Sequence, residues 1–425
     1  MLRGGVAGSL LQLTDSSAWK VRSTSSHVFL LFVFVGVISW IGLVFAAKRT
    51  IREITRKNTN LRWLLMTTLD STDTKPVRSS EHLDWDALDK YVRPRLAEQL
   101  GNGFDAKASM TIEQFPGGHS NLTYLLRFGT QEFALRRPPF GPVPPKAHDM
   151  ARECRILTAV HPVFPLAPKP YLLCEDASII GSTFYIMERR HGVVVRYEEP
   201  PRLANQPEQR KLVSKAVVDT LADLHLVDID AYGLSSLGKA TGFVERQVQG
   251  WTQRWHGSKT SEQAELNALS QWLLERLPSD PSRPTLLHGD YKLDNIMLDE
   301  HDLSKMVAVF DWEMSAVGDP LVDLGIFLAY WVHTAPAAQR DSLAAVTTAP
   351  GWFTRDEVLE RYAERTNLDV SNVKFYEVFA VFKLAVVLQQ IFYRYHRGQT
   401  DDARFAALDK RVELLAHMAT KLAMF

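Results

Sequence analysis

Asp290 and Asn295 stand five positions apart in the run Leu286-Leu287-His288-Gly289-Asp290-Tyr291-Lys292-Leu293-Asp294-Asn295, and Asp311-Trp312-Glu313 begins sixteen positions after Asn295. A carboxylate, a carboxamide and a second carboxylate at this spacing suit phosphoryl transfer from ATP. That reaction needs little covalent help but much charge neutralisation, so its site needs hard oxygen ligands for Mg²⁺ and one base for the attacking hydroxyl. Asp290 is the candidate general base, accepting or orienting the acceptor's proton. Asn295 and Asp311 are the candidate Mg²⁺ ligands. Either Asp290 or Asn295 alone reads as a turn residue; the three together carry the assignment. The apolar run Met306 to Phe310 predicts a strand that delivers Asp311 to the same place.

The Asp290–Asn295 interval is also that of the protein-kinase catalytic loop H-R-D-x-x-x-x-N. Other motifs accompany it in order: Phe115-Pro116-Gly117-Gly118-His119-Ser120-Asn121, Phe133-Ala134-Leu135-Arg136-Arg137-Pro138, Arg152-Glu153, Tyr185-Ile186-Met187-Glu188 and Gly318-Asp319-Pro320-Leu321-Val322-Asp323. From about residue 80 to 425 the chain resembles the aminoglycoside phosphotransferase family of kinase-like enzymes, and within it the kinase-like domains found beside acyl-CoA dehydrogenases. A glycine pair alone marks many ordinary turns; the catalytic run with its downstream Asp-Trp-Glu and Gly-Asp-Pro-x-x-Asp is the specific signal.

The resemblance implies further roles. Gly117 and Gly118 let the backbone approach phosphate oxygens, with Ser120 and Asn121 adding hydrogen bonds. Met187 and Glu188 fall at the hinge that reads adenine. Lys292 takes the place of the catalytic-loop lysine that touches the transferring phosphate, and reads equally as an exposed lysine. Arg136 stands where a protein kinase carries lysine. A guanidinium can clamp phosphate in a bidentate manner, with Glu153 as its ion-pair partner; the competing readings are that Arg137 takes the task or that the site is weakened. His288, Asp319 and Asp323 read as structural braces, and Glu313 as support for the metal or a residue of the lobe interface.

These residues need a scaffold, and the chain is long enough to supply one. Its 425 residues carry no net charge, so no overall field draws it to nucleic acid. Cys154 and Cys174 are its two cysteines, too few for a disulfide framework and suited to a reducing compartment. Val28 to Ala47 is twenty residues without a charge, enough to span a bilayer as a helix. Lys48, Arg49, Arg52, Arg56, Lys57 and Arg62 follow it, against Arg3, Lys20 and Arg22 before it. The positive-inside rule then places the C-terminal body in the cytoplasm, where ATP and Mg²⁺ are. A mitochondrial transit peptide is the rival reading, because the first 26 residues are Ser-rich and acid-poor.

Five segments follow: a tail over 1–27, a transmembrane helix over 28–47, a basic juxtamembrane segment and linker over 48–80, a small lobe over 81–190 and a larger lobe over 191–425 with the catalytic loop and acceptor site. Periodicity predicts an opening helix over 84–100, strands over 108–115, 122–128, 131–136, 171–175 and 183–188, and helices over 150–160, 209–225 and 260–277. The expected fold is α+β and two-lobed, protein-kinase-like, with a small mixed sheet in the first lobe and a mainly helical second lobe, behind the membrane anchor. Trp251, Trp255, Phe243, Phe375, Tyr376, Phe392, Tyr393 and Tyr395 read as core rather than as an acceptor pocket. Arg394, His396 and Arg397 suit either a phosphate-bearing acceptor or a solvated helix end.

The function expected is an ATP- and Mg²⁺-dependent phosphotransferase acting on a hydroxyl of a small molecule, with a hydroxyacyl-CoA or lipid-like metabolite implied by the resemblance. A membrane-tethered pseudokinase scaffold is the alternative, and Arg136 is the residue that leaves it open. A protein kinase is disfavoured, because Gly318-Asp319-Pro320 follows Asp311 too closely for an activation loop.

Overall fold

Asp84 caps helix α1 (Trp85–Leu100) by accepting the Ala87 N–H at 2.9 Å. Leu88, Val92 and Leu96, four apart, give this helix one buried stripe. The stripe packs on five strands, β1 (Met110–Gln114), β2 (Leu122–Phe128), β3 (Gln131–Arg137), β4 (Pro170–Cys174) and β5 (Phe184–Glu188). Period two decides which side chains meet it. Leu122, Tyr124, Leu126 and Phe128 of β2, Phe133 and Leu135 of β3, and Phe184 and Ile186 of β5 share the α1 core. Ala134, Tyr185 and Met187 alternate to the other face and join a second core. Arg136, opposite Tyr185 in register, goes with them.

In this computed structural model the described residues are 73–116, 121–141, 148–196, 199–331 and 346–424. Thr74 to Phe425 form one compact unit, which carries everything that follows. The apolar run 28–47 and its basic flank lie outside the described residues, as do Gly117, Gly118 and Ser120.

The sheet corrects one expectation. It is antiparallel throughout, in the order β1-β2-β3-β5-β4, not mixed. After β3 the chain crosses through helix α2 (Met150–Val160) to the far edge, β4, and the hairpin back places β5 between them. Strands β3 and β4 run in the same direction but never pair.

Past β5, β6 (Val193–Val194) pairs with β8 (Ile296–Leu298), which pairs with β9 (Met306–Val309). A second ribbon joins β7 (Thr285–Leu287) to β10 (Ala316–Gly318). Around them stand helices α3 (Pro207–His225), α4 (Phe243–Ser258), α5 (Ala264–Glu275), α6 (Pro320–Tyr330), α7 (Arg355–Thr366), α8 (Val373–His396) and α9 (Leu408–Met424). The helix expected over 260–277 is shorter, since α5 starts at Ala264 without a side-chain cap.

Helix α8 is long and apolar enough to cross a membrane by length and composition, but 61% of its most apolar window is buried in the lobe. It is the central helix, packing on α4, α6 and α9. The aromatic residues read as core divide along it. Phe375 and Tyr376 are buried, with Phe243, Trp251 and Trp255 from α4, whereas Phe392, Tyr393 and Tyr395 are half-buried near its end.

Candidate active site

The catalytic run turns between β7 and β8. Gly289 takes φ 83°, and a Cβ there would lie 2.4 Å from the Met314 carbonyl oxygen, so both the turn and the close approach require glycine. Asp323 of α6 accepts the N–H groups of His288 at 2.6 Å and Gly289 at 2.7 Å. The buried His288 ring contacts the Phe310 carbonyl through Nε2 at 2.8 Å and accepts the Asp290 N–H through Nδ1 at 3.2 Å. This pattern fits one neutral tautomer. Burial pushes the His288 pKa down, against the nearby carboxylates Asp323 and Asp290. Asp319 caps α6 and accepts the Tyr376 hydroxyl at 2.5 Å. The three residues read as braces are braces.

Asp290 meets Lys292 Nζ and the Asn295 amide, the latter at 3.0 Å, and both contacts fall on Oδ2. Burial opposes the Lys292 charge, but Asp290 beside it outweighs this and raises its pKa. Lys292 also stands over the Tyr330 ring, 5.1 Å from its centroid. It is not a free exposed lysine.

Asn295 and Asp311 are brought together by the β8–β9 pairing, in which Ile296 faces Val309. The Phe310 N–H donates to the Asn295 carbonyl at 2.8 Å. Asp311 itself adopts φ 71°. Non-glycine residues held in that region concentrate at functional sites. Burial alone would raise the Asp311 pKa; Arg136, then His288 and Lys292, hold it below the usual range.

Arg136 comes to this point from the other lobe. Its Nε lies 3.1 Å from Glu153 of α2 and its terminal nitrogen 2.5 Å from Asp311 Oδ1. Burial works against the guanidinium charge, and Glu153 followed by Asp311 outweigh it. Glu153, 1% exposed, is pushed up to about 7 by burial in spite of Arg136. Arg137 is engaged elsewhere, on the Pro138 and Ile180 carbonyls. Arg136, not Arg137, makes the ion pair with Glu153.

Asn121, expected at the phosphates, donates to Glu313 Oε2 at 3.1 Å and meets His148 Nδ1 at 2.8 Å. Glu313 therefore sits at the lobe interface; burial, then the Asp311 charge, raises its pKa. Arg152, next to Glu153, donates to the Glu313 carbonyl at 2.5 Å and the Ser315 carbonyl at 2.6 Å. Sequence reasoning assigned no role to Arg152 or His148. A guanidinium beside Glu153 at a helix start was the available signal for the first; nothing local marked the second. Met187 is buried, and Glu188 pairs with Lys169 through backbone and side chain and with Arg190 at 2.8 Å.

The donor set suits Mg²⁺ with a nucleotide. Among the described residues no cluster of three or more His, Cys, Asp or Glu is arranged to hold a metal. One carboxylate and one amide oxygen are what Mg²⁺ takes when phosphates and water complete its shell. The Asn295 amide nitrogen is engaged with Asp290, so its carbonyl oxygen is the atom left to offer.

A family model described as "Phosphotransferase enzyme family" matches residues 111–358. Mouse acyl-CoA dehydrogenase family member 11 is 34% identical over 357 residues, covering 83% of this chain and 45% of that protein. The mouse family member 10 is 34% identical over 349 residues, covering 82% of this chain and 32% of that protein. The chain thus spans less than half the length of these curated relatives. The solved structure of a Ralstonia eutropha protein assigned as an aminoglycoside phosphotransferase matches with 30% identity and a TM-score of 0.68, over 81% of this chain and 99% of that one.

Proposed function

The chain belongs to the aminoglycoside phosphotransferase family, and from that premise we propose that it transfers a phosphoryl group from ATP, with Mg²⁺, to a hydroxyl of a small molecule. The observation that carries the reading is the convergence of Asp290, Asn295, Asp311 and Arg136 on one cleft from β3, the catalytic run and β9.

Each residue has work suited to its chemistry. Both contacts of the Asp290 carboxylate fall on Oδ2, so Oδ1 is the oxygen left to orient the acceptor hydroxyl and receive its proton. Lys292 holds positive charge beside it. Mg²⁺, when bound, would supply charge neutralisation at the phosphates, and Asn295 and Asp311 would hold it. Arg136, oriented by Glu153, offers phosphate a planar donor. Arg136 was the residue that left a scaffold without catalysis open, and its pairing with Glu153 supports the catalytic reading.

A hydroxyacyl-CoA or related lipid-like alcohol is the acceptor class we favour, on the strength of the relatives named for acyl-CoA dehydrogenases. Anchoring through residues 28–47, with the catalytic unit on the cytoplasmic side, belongs to the proposal on sequence grounds alone.

The test is Mg²⁺-dependent ATP affinity by calorimetry, wild type beside Asp311→Ala. Binding that needs Mg²⁺ and vanishes in the variant is the expected result. A folded wild-type protein that binds no nucleotide overturns the reading.

A further inference from the structure

Lys383 lies in the middle of helix α8, and its Nζ donates to the Gly289 carbonyl at 3.1 Å, one residue before the proposed base. Among the described residues no carboxylate stands within ion-pair distance of it, although most other cations around the cleft are matched: Arg136 to Glu153 and Asp311, Lys292 to Asp290. One carbonyl takes one of its three N–H groups. Its Nζ also lies over an aromatic ring, 5.6 Å from the centroid of Trp251. Arg254 stands over the same ring at 4.5 Å. The Trp251 indole nitrogen is itself buried and without a hydrogen-bond partner. Burial lowers the Lys383 pKa, against the pull of Asp290 and Asp323, while Lys292 and Arg254 add to the lowering.

A half-buried ammonium with one carbonyl acceptor and no counter-charge, beside a buried indole N–H without a partner, is costly in a folded protein, and such groups call for a partner that arrives from outside. Placed beside the base, that partner is part of the acceptor. Arg394 lies eleven residues along α8 from Lys383, which returns it to nearly the same helix face about 16 Å away. It is exposed, and its charge is felt at His148 beside Asn121.

We propose that Lys383 and Trp251 form an oxyanion subsite for the acceptor, so that the hydroxyl is phosphorylated on a molecule carrying a carboxylate or phosphate. The inference rests on the kinase reading and deepens it. A cationic acceptor such as an amino sugar meets Lys383, Lys292 and Arg254 as like charges and is selected against.

The test reads Lys383 directly. The full chain, with Mg²⁺ and a non-hydrolysable ATP analogue, is treated with an amine-acetylating reagent, and modification is measured residue by residue by mass spectrometry. Inorganic phosphate, acetate and chloride are compared at equal ionic strength. Phosphate or acetate should slow Lys383 acetylation at least tenfold relative to chloride and leave exposed lysines alone. Protection by phosphate only assigns a phosphate-bearing acceptor; protection by both assigns any oxyanion; protection by neither overturns the proposal. The same measurement without nucleotide decides the subsite even if the analogue fails to bind, which would count against the kinase reading only.

A second measurement separates recognition from bracing of the catalytic run. ADP formation is followed with glycerol, glycerate and glycerol 3-phosphate. Wild type should favour an anionic acceptor in kcat/KM, Lys383→Met should lose that preference at least tenfold, and Lys383→Arg should retain most of it. An unchanged preference in Lys383→Met makes Lys383 a brace for Gly289 and overturns the proposal.

Discussion

Arg136 of the small lobe and Asp311 of the large lobe are joined by a 2.5 Å hydrogen bond across the cleft. The same guanidinium is held from behind by Glu153. It therefore links the lobes through the residue proposed to hold the metal.

Removing that guanidinium should be expensive. Arg136→Met leaves Glu153 buried without its counter-charge, and breaking a buried pair in this way costs about 3–5 kcal/mol. Arg136→Lys keeps the charge but loses the planar fork, so its loss should be smaller in stability than in nucleotide affinity. Urea unfolding and ATP calorimetry on both variants check the two halves; equal stability of Arg136→Met and wild type would contradict the pairing.

Asp290→Ala should separate binding from chemistry. The proposed base would touch the acceptor, not the nucleotide, so ATP affinity should hold within a few-fold while turnover falls by about 10²–10⁴. Turnover at the wild-type rate would show that Asp290 is not the base.

Asp323 accepts two backbone N–H groups of the catalytic run and contacts His225 Nε2 at 3.3 Å. Asp323→Ala strands all of them in a buried place, at about 1–3 kcal/mol for each donor left unpaired. A loss of about 3 kcal/mol or more is expected in urea unfolding, with Asp323→Asn intermediate because one acceptor oxygen remains. Near-neutral stability of Asp323→Ala would remove the clamp from the account.

His288 sets a pH dependence. Its native pKa is lowered by burial, so the ring stays neutral where the unfolded chain, at about 6.5, begins to take up a proton. The stability it contributes is complete above the unfolded value and is lost as pH falls below it toward the native one. Thermal unfolding from pH 7.5 to 5 should show wild type losing more stability than His288→Gln. Parallel curves would show that His288 does not titrate in this way.

Much of the architecture was legible along the chain because the signals are local. Helical periodicity marked α1 and α2, and alternation marked β2 and β3 to within a residue. The catalytic run was legible for another reason: Gly289, Asp290 and Asn295 lie in one short loop, and short loops keep their spacing in any fold that uses them. The antiparallel sheet was not legible, because which strand fills the gap between β3 and β4 is decided by packing after the crossover.

Residue types and intervals alone determined that two carboxylates, an amide and a cation were available, and in what order. Only tertiary structure decided who their neighbours are. Arg136 and Asp311 are 175 positions apart, and Gly289 and Lys383 are 94. Burial, which turns these pairs from surface charges into strong constraints, is a property of two lobes and a central helix packed together. No interval along the chain encodes it.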